Sequence, residues 1–557
     1  MKKAILFFSL FLFSISHAQI WDWVTPSINS SPTSLGDPFG IAADSKGNVF
    51  QVGSINGTVK YGSFSLHTSV DDTYLAKFDS NGNVLWVDTA SNLNSFRNYG
   101  YAVAADKAGN AYITGNFSDS VGFGPYHLTS PSFNNFFIVK YNSTGNIKWA
   151  KEAIANSATS RNMGNWITSD KAGNVYVTGL FTDTVTFGAY TLITGDENVF
   201  LVKYDSNGNV KWAKRANTPL QASGNGVATD SKGNIIVTGY FYTIITFGSH
   251  TLTSSKPGDP DVFAVKYDSA GNVIWAKGGK ESNSMANNSS ALTIDNSDNI
   301  YITGQFFDTL SFGAFILTTG NTYGDAFIAK YDSGGNVLWA KAAKVAKSGF
   351  PGNIGFSITA GKNEHIYVAG SFSDTITFDT IQLISKAFEP SFLYEFDSLG
   401  NALCGTYINN DNDDFNSVVA NASGSAVYFG GDITGGSKAG FGTDTVVGKD
   451  IELAFLAKWQ PCAPNTESVN EVQPSNNSTV LFPNPNKGEF TIQSSVLSGQ
   501  SSVEIYNMLG EEIYSRQLTI NSGQWTIDLR TKSSGVYLYR MISETGTQIA
   551  NGKFLIE

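Results

Sequence analysis

Beyond its first twenty residues the chain is a succession of short apolar runs separated by polar turns, with no helical periodicity. A typical segment is Val103-Ala-Ala-Asp-Lys-Ala-Gly-Asn-Ala-Tyr-Ile-Thr-Gly115, in which Asp-x-x-Gly-Asn separates two β-prone runs. The Asp carboxylate can accept hydrogen bonds from backbone N–H groups of the turn, and Gly supplies its positive φ. A second hairpin follows each time, as at Phe137-Ile-Val-Lys-Tyr141 and the turn after it. The pattern predicts paired hairpins, four strands at a time.

The second hairpin ends on a tryptophan that recurs at nearly constant spacing. Successive positions are 63, 63, 63, 63, 64 and 65 residues apart, and a cysteine takes the seventh place: Trp23, Trp86, Trp149, Trp212, Trp275, Trp339 and Cys404. A fixed period indicates one supersecondary unit copied several times. A Thr-rich stretch such as Phe181-Thr-Asp-Thr-Val-Thr-Phe-Gly188 adds one embellishment to each of the first six repeats. Four core strands per repeat predict the blades of a β-propeller.

The two ends of the repeat region complement each other. The seventh repeat reaches a third strand at Phe455-Leu-Ala-Lys-Trp459 and then stops, whereas Ile20-Trp-Asp-Trp-Val24 is a fourth strand with no blade before it. Pairing these two segments removes both exposed sheet edges. We therefore expect a seven-bladed β-propeller over residues 19–463, closed by an N-terminal strand swap, in an all-β chain.

The repeats resemble a known family. Asp79-Ser-Asn-Gly-Asn-Val-Leu-Trp86 returns almost unchanged in five copies, and these repeats resemble the bacterial β-propeller family called SBBP. The turn and its Trp are also similar to the tryptophan-docking motif of quinoprotein propellers, although the Asp-to-Gly spacing is one residue shorter. They are similar to the Asp-box of sialidases with two altered spacings. We expect the periodic Trp residues to be packing wedges between blades.

The N-terminus carries the features of an export signal. Lys2 and Lys3 precede an apolar segment, and Ser16-His-Ala18 satisfies the small-x-small rule for cleavage between Ala18 and Gln19. Residues 1–18 are predicted to be a signal peptide. The apolar segment is too short for a stop-transfer helix, and no other segment has the length of a transmembrane span.

The C-terminal region has a different composition. Residues 464–478 are poor in apolar residues and are predicted to be a linker. Residues 479–557 contain short alternating strands, which predict a small Ig-like β-sandwich. This tail resembles the type A C-terminal sorting domain of the Bacteroidota type IX secretion system, through the following residues: Pro483, Asn484, Pro485, Gly488, Gly510, Gly535 and Tyr537. The resemblance implies handling by that machinery and a secreted or outer-membrane surface location.

Charge and cysteine content narrow the possible partners. With 36 basic against 47 acidic residues, the net charge of −11 argues against nucleic acid or an anionic membrane as a partner. The only two cysteines, Cys404 and Cys462, occur in a chain predicted to be exported. They are a candidate disulfide between the sixth repeat and the closing region, with two free thiols as the alternative.

The sequence contains no recognisable catalytic or metal-binding constellation. It lacks the His-x-x-x-His, Cys-x-x-Cys and Gly-x-Ser-x-Gly patterns, and its turn Asp residues recur in every repeat, unlike a catalytic acid. We therefore assign no catalytic residue, no metal ligand and no cofactor. One segment, Asn409-Asn-Asp-Asn-Asp-Asp414, offers oxygen ligands for calcium but lacks the spacing of an EF-hand, and a solvated loop is the alternative.

The repeats differ most in the connections that lead into each first strand. The turns within the two hairpins hardly vary, whereas these connections vary in length and content, and variable loops on a fixed scaffold carry recognition. The candidate ligand-binding residues near this variable face are Arg97, Arg161, Asn165 and Asn225; the alternative is that they cap strand ends. We expect a secreted or surface-attached module for binding or adhesion, with a glycan or extracellular protein as partner. A glycan-active enzyme built from several blades and a structural surface-layer spacer are the other hypotheses.

Overall fold

The computed structural model divides the chain into two compact units, Met1–Cys462 and Ala463–Glu557. The residues that the structure describes are 21–29, 34–92, 96–132, 134–254, 256, 258–281, 287–319, 323–344, 352–409, 417–421, 423–433, 437–441, 444–448, 453–462, 479–494, 500–507, 511–519, 524–543 and 548–556. The predicted signal peptide with Ala18 and Gln19, the linker, residues 410–414 of the calcium candidate, and Gly510 lie outside them.

The described residues are almost entirely β, with a single short 3-10 helix at Lys362–Glu364. The described residues of the first unit form seven antiparallel sheets with four core strands each, and the first of them has a short fifth strand. In order of strand pairing they are sheet I (Leu35–Ala43, Val49–Tyr61, Phe64–Phe78, Val84–Thr89), sheet II (Asn98–Ala105, Ala111–Phe117, Asn135–Tyr141, Ile147–Glu152), sheet III (Asn162–Ser169, Val175–Phe181, Asn198–Tyr204, Val210–Arg215), sheet IV (Ala222–Thr229, Ile235–Tyr242, Pro260–Tyr267, Val273–Gly278), sheet V (Asn288–Ile294, Ile300–Phe306, Asp325–Tyr331, Val337–Ala342), sheet VI (Ile354–Ala360, Ile366–Ser371, Ser391–Phe396, Ala402–Ile408) and sheet VII (Ser417–Ala420, Val427–Ile433, Leu453–Trp459, Trp21–Pro26).

Short hairpins and two-residue strands accompany these sheets. The hairpins pair Ser120–Phe123 with Tyr126–Thr129, Thr184–Phe187 with Tyr190–Ile193, Ile244–Phe247 with His250–Thr253, Thr309–Phe312 with Phe315–Thr318, Thr375–Phe378 with Ile381–Ile384, and Lys438–Phe441 with Asp444–Val447. The first five are formed by predicted segments, whereas the last, in the seventh repeat, was not predicted. In the first repeat the predicted segment instead extends the second and third strands of sheet I. Three short strands join hairpins that follow them, namely Ser91–Asn92, Ile154–Ala155 and Lys280–Glu281, and Ile28–Asn29 pairs with sheet I.

The strand pairing expected between the two ends of the repeat region is present. Trp21–Pro26 pairs antiparallel with Leu453–Trp459 and supplies the fourth strand of sheet VII, with Trp23 opposite Lys458. The first strands also contact one another in series: each touches the first strand of the next sheet, and Ser417–Ala420 of sheet VII touches Leu35–Ala43 of sheet I. The series of contacts is therefore closed.

The hairpin turns follow the chemistry expected from their sequence. At the second turn of sheet III, Asp205 Oδ1 accepts the backbone N–H groups of Asn207 and Asn209, at 3.0 and 2.9 Å. Its Oδ2 accepts the Asn209 amide at 2.9 Å, and Gly208 has a φ of +80°. One carboxylate thus orders the whole turn, which explains why this short sequence recurs in each repeat.

The periodic tryptophans join neighbouring sheets. Each of six indoles donates its Nε1–H to the backbone carbonyl of the Ser in the next sheet's second turn, at 3.2–3.3 Å, in the pairs Trp23–Ser80, Trp86–Ser143, Trp149–Ser206, Trp212–Ser269, Trp275–Ser333 and Trp339–Ser398. The indole ring lies against the Gly of the same turn, so a Cβ on Gly208 would lie 2.9 Å from Trp149 Cδ2. The Trp residues are packing wedges between sheets.

A lysine on the adjacent strand reinforces five of the six tryptophan junctions. Lys77 lies opposite Trp86 in sheet I, and its Nζ donates to the same Ser143 carbonyl at 3.2 Å. The Nζ also lies 3.5 Å from Asp44 and 4.7 Å from the centroid of the Phe50 ring. The lysine therefore joins the first turn of its own sheet to the second turn of the next.

The junction between sheets VI and VII is built differently. Glu395 and Cys404 occupy the paired positions that hold Lys and Trp elsewhere, and Cys404 is joined to Cys462 by a disulfide with a Cα–Cα distance of 6.3 Å. The buried Glu395 accepts the Cys462 N–H at 2.7 Å and the Tyr367 hydroxyl at 3.1 Å. His365 Nδ1 lies 2.6 Å from the same carboxylate. Burial raises the pKa of Glu395, and these hydrogen bonds oppose the rise.

The second unit contains two antiparallel sheets around a shared apolar core. One sheet consists of Thr479–Phe482, Glu489–Ser494 and Gln524–Asp528, and the other of Glu512–Thr519, Gln500–Tyr506, Gly535–Ser543 and Gln548–Ile556. Side chains from both sheets meet in one cluster, including Phe490, Ile527, Met541 and Phe554. Burial of this cluster is the main stabilising contribution visible in the tail.

Two turn glycines allow the effect of backbone conformation on stability to be measured separately from the effect of tryptophan packing. Gly208 and Gly233 have φ values of +80° and +78°, but only Gly208 touches an indole; nothing lies within 4 Å of a Cβ at Gly233. We expect Gly233→Ala to lower the free energy of unfolding by ~1 kcal/mol through its positive φ alone. Gly208→Ala should cost a further ~2 kcal/mol, because Trp149 must move. Chemical denaturation of both variants checks this, and equal losses would show that the contact contributes nothing.

The disulfide closes a loop in a chain whose other six junctions are non-covalent. For cysteines 58 residues apart, loop-closure entropy predicts a loss of ~4 kcal/mol in the free energy of unfolding for Cys404→Ser/Cys462→Ser. Reductant should destabilise the wild-type chain by a similar amount and leave the double variant unchanged. A wild-type chain that keeps its denaturation midpoint after two thiols have been titrated would contradict this expectation.

Candidate functional site

Six β-bulges direct one residue from each of the first six sheets toward a common cavity. In each first strand the register shifts around one unpaired residue, five positions before the residue that begins the first turn. These residues are Phe39, Tyr101, Asn165, Asn225, Ser290 and Phe356. All six line the same cavity, of about 380 Å³. A bulge redirects a side chain that regular pleating would place on the other face.

The first strands of all seven sheets contribute to this cavity. The bulge residues are joined there by Met163, Trp166, Asn288, Ile354 and Ser417. The first strands also touch one another in a closed series. Together they therefore form the side wall of the cavity. Its volume lies within the range of small-molecule sites.

The two halves of the cavity wall differ in chemistry. Sheets III to V contribute amides and a hydroxyl, from Asn165, Asn225, Asn288 and Ser290. Sheets VI, I and II contribute the aromatic rings of Phe356, Phe39 and Tyr101. The rings of Phe39 and Tyr101 lie 5.7 Å apart. Apart from Met163 and Trp166 of sheet III, the wall is therefore polar on one side and aromatic on the other.

The polar half is held in place by hydrogen bonds between sheets. The Asn165 amide donates to Ser223 Oγ and to the Gly224 carbonyl, both at 3.1 Å. Ser223 Oγ donates to Asn225 Oδ1 at 3.0 Å, and the Asn225 amide donates to Asn288 Oδ1 at 2.8 Å. This amide ladder fixes the orientation of three planar amides along three successive strands.

Sheet III differs from the other sheets in the size of one first-strand residue, Trp166. The residue four positions before the first turn is small in every other sheet: Gly40, Ala102, Gly226, Ala291, Ser357 and Ser417. Trp166 packs against the apolar cluster that contains Val227 and also against the one that contains Ile358. Its indole thus extends from sheet III to the apolar cluster that sheets V and VI share, and it adds a large aromatic surface to the cavity.

The four residues predicted from the sequence fall into two groups. Asn165 and Asn225 line the cavity, whereas Arg97 and Arg161 are in ion pairs outside its lining. Arg97 Nε lies 3.1 Å from Asp71, which also accepts the Tyr99 hydroxyl at 3.1 Å. Tyr99 stacks on Tyr101 at 6.2 Å, so this pair is adjacent to the cavity.

Arg161 forms the second ion pair, with Glu197 at 3.0 Å. Burial raises the pKa of Glu197, and the nearby guanidinium opposes that rise. Arg161 also lies close enough to interact electrostatically with Tyr101 and Tyr240. Each arginine therefore has a carboxylate partner already, so the positive and negative charges beside the cavity balance in pairs.

Among the described residues, one group of three side chains has metal-ligand geometry: Glu395, Cys404 and Cys462. Both sulfurs are committed to the disulfide, so the group serves the junction rather than a metal. Of the calcium candidate only Asn409 is described, and its Oδ1 accepts the hydroxyl of Ser385 at 2.7 Å.

The predicted sorting residues occupy defined positions in the second unit. Asn484 Oδ1 accepts the Leu555 N–H at 2.9 Å, next to Pro483 and Pro485. Gly488 has a φ of +86°, and a Cβ there would lie 2.7 Å from Arg530 Cα. The Tyr537 hydroxyl donates to the Ser533 carbonyl at 2.6 Å, two residues before Gly535. These residues hold the tail's strand connections together.

Inspection of the sequence missed the aromatic half of the cavity. Phe39, Tyr101, Trp166 and Phe356 follow an alternating apolar pattern that predicts ordinary core residues. The available signal was internal: the position five residues before the first turn varies between repeats, while the turn itself does not. An alignment of the repeats on that turn would have shown that this position varies and would have marked its residues as site candidates.

Comparison with known proteins identifies the C-terminal tail. Residues 480–557 match the family model of the secretion system C-terminal sorting domain. The tail indicates a secreted or cell-surface protein that is handled by the type IX secretion machinery. Among the described residues, none lies in a helix with the length and hydropathy needed to cross a membrane.

Other proteins are more distantly similar to this chain. An uncharacterized WD repeat-containing protein of Acanthamoeba polyphaga mimivirus is 24% identical over 394 residues, which are 58% of this chain and 28% of that protein. A fungal alcohol oxidase of the AA5 family in complex with copper covers 97% of this chain and 99% of its own, with 13% identity and a TM-score of 0.39. PorZ, a surface component of the type IX secretion system of Porphyromonas gingivalis, matches over 94% of this chain and 99% of its own chain, with 11% identity and a TM-score of 0.13.

The Arg161–Glu197 ion pair gives a titration test. Arg161→Gln removes the cation that opposes the effect of burial, so the pKa of Glu197 should rise further. Carboxyl-carbon NMR of glutamate-labelled protein measures this change. Arg97→Gln, which removes the cation of the other pair, should leave the Glu197 titration unchanged. An unchanged Glu197 pKa in Arg161→Gln would mean that this ion pair does not form in solution.

Proposed function

We propose that the first unit is a seven-bladed β-propeller of the SBBP type, closed by the N-terminal strand. Three features support this architecture: the seven four-stranded sheets, the closed series of contacts between first strands, and the pairing of Trp21–Pro26 with Leu453–Trp459. In this architecture the fourth strand of sheet VII presents Trp23 to the turn of sheet I. The domains are then residues 19–463 for the propeller, 464–478 for the linker and 479–557 for an Ig-like sorting domain.

The protein is a binding or adhesion module of a Bacteroidota cell surface, exported with a signal peptide that is cleaved between Ala18 and Gln19. The observation that carries this proposal is the convergence of six bulge residues on one cavity of about 380 Å³. The bulges recur at one position of the repeat while their side chains differ. A fixed scaffold with one variable position per strand is typical of recognition sites.

The two other hypotheses have less support. A protein that serves only as a structural spacer does not require a cavity with a polar and an aromatic half. A glycan-active enzyme needs carboxyl groups free to exchange protons or attack. Asp71 and Glu197, at the margin of the cavity, are each held in an ion pair with an arginine. Binding therefore fits the arrangement better than catalysis does.

A binding screen of the full chain against glycan and extracellular matrix-protein arrays, with and without calcium, tests the proposal. A ligand of the cavity should lose at least about tenfold in affinity with Asn165→Ala/Asn225→Ala, since both amides lie in the wall. The matched control is Asn81→Ala/Asn207→Ala, which removes two exposed turn amides and should bind normally.

A second double variant, Arg97→Ala/Arg161→Ala, reports on the margin of the cavity. It should weaken ligands that extend beyond the cavity and spare those contained within it. Blank arrays, or binding that survives the Asn165→Ala/Asn225→Ala change, would overturn the assignment of the cavity. Circular dichroism of each variant confirms that the sheets are intact.

A further inference from the structure

The cavity has a chemical composition that selects one class of ligand. Its lining contains three amides, two serines, four aromatic side chains, Met163 and Ile354, and no side chain that ionises near neutral pH. A charged ligand would enter without an opposite charge to meet it, which is costly in a partly desolvated site. The net charge of −11 adds a general disadvantage for acidic ligands. The expected ligand is therefore neutral.

The amide ladder requires a ligand that makes several hydrogen bonds. The hydrogen bonds between sheets use the amide hydrogens of Asn165 and of Asn225. Asn165 Oδ1 and the Asn288 amide nitrogen have no hydrogen-bond partner among the described residues. The Ser290 hydroxyl lies in the same half of the wall. An entirely apolar ligand would leave these groups desolvated and unpaired. Adjacent hydroxyl groups, which both donate and accept, match an alternating set of amide donors and acceptors.

The aromatic half requires a ligand with an apolar face. Phe39, Tyr101 and Phe356 lie across the cavity wall from the ladder, and Trp166 packs against the apolar cluster that sheets V and VI share. The C–H bonds on one face of a sugar ring are weakly positive and pack against the negative face of an aromatic ring. Burial of the phenol raises the pKa of Tyr101, so this side chain is also neutral.

We propose that the cavity binds the terminal ring of a neutral glycan, with its hydroxyl groups on the Asn165–Asn225–Asn288 ladder and its C–H face on the aromatic half. This inference rests on the proposed binding function and specifies the class of ligand. Trp166 sets the selectivity for a ring, because it supplies the aromatic surface that the small residues of the other sheets cannot. Arg97 and Arg161 contact only the units that follow the terminal ring.

Paired ligands test the class directly. The full chain is titrated with methyl hexopyranosides and with the methyl hexuronides of the same ring configuration, which differ by a carboxylate. Saturation-transfer NMR and indole fluorescence report binding. A set of short apolar peptides is the third arm. The neutral hexoside should bind at least about tenfold more tightly than its hexuronide, corresponding to 1.4 kcal/mol.

Variants of the cavity test the position of the ring. Trp166→Leu and Asn288→Ala should each weaken hexoside binding about tenfold, whereas Trp166→Phe should retain most of it because an aromatic face remains. Tyr190→Ala, at an exposed tyrosine of a short hairpin, is the control and should bind normally. Thermal denaturation identifies any variant that is misfolded, and Trp166→Phe preserves the comparison if Trp166→Leu is unstable.

The outcomes separate this inference from the proposed function. Preference for hexuronides or apolar peptides, with loss of binding in Asn165→Ala/Asn225→Ala, would overturn the neutral glycan and keep the cavity as the site. Hexoside binding that is indifferent to Trp166→Leu and Asn288→Ala would overturn the placement of the ring. Binding of no ligand in any arm, together with blank arrays, would overturn both proposals.

Discussion

The packing of one indole on the turn of the next sheet is the interaction on which the first unit depends. The turn glycine has a positive φ and no side chain, so the indole can lie directly against the backbone, and the Ser carbonyl beside it accepts the indole N–H. In five junctions the lysine opposite the indole donates to that same carbonyl, as Lys140 does to Ser206. The indole and the lysine thus converge on one turn, and each sheet fixes the position of the next.

This arrangement leaves the first strands free to differ. The contacts that join neighbouring sheets use the third and fourth strands and the second turn, as in Lys77, Trp86 and Ser143. The first strands touch one another around the cavity but take no part in these hydrogen bonds of the lysine and the indole. A bulge residue there can change from Phe39 to Asn165 or Ser290 without disturbing an indole. The indole junctions and the cavity are therefore built from different strands of the same repeat.

Local turn chemistry explains why most of the fold could be predicted from the sequence. Asp205 and Gly208 specify their turn within five residues, and the Trp period gives the copy number. The site was only half predictable. The ion pairs of Arg97 and Arg161 depend on carboxylates 26 and 36 positions away in sequence, Asp71 and Glu197. A bulge shifts side chains by one position, so the alternating pattern that locates a strand cannot tell which face Tyr101 occupies.

The one junction without an indole follows from the way the chain begins and ends. In six sheets the third and fourth strands are joined by a turn, but in sheet VII the fourth strand comes from Trp21–Pro26, so no glycine turn exists for sheet VI to pack against. Both members of the Lys–Trp pair are replaced accordingly, by Glu395 and Cys404. A lysine would have needed a turn carbonyl, whereas Glu395 accepts the N–H of Cys462, which follows the last strand. The disulfide then supplies covalently the connection that a turn makes elsewhere.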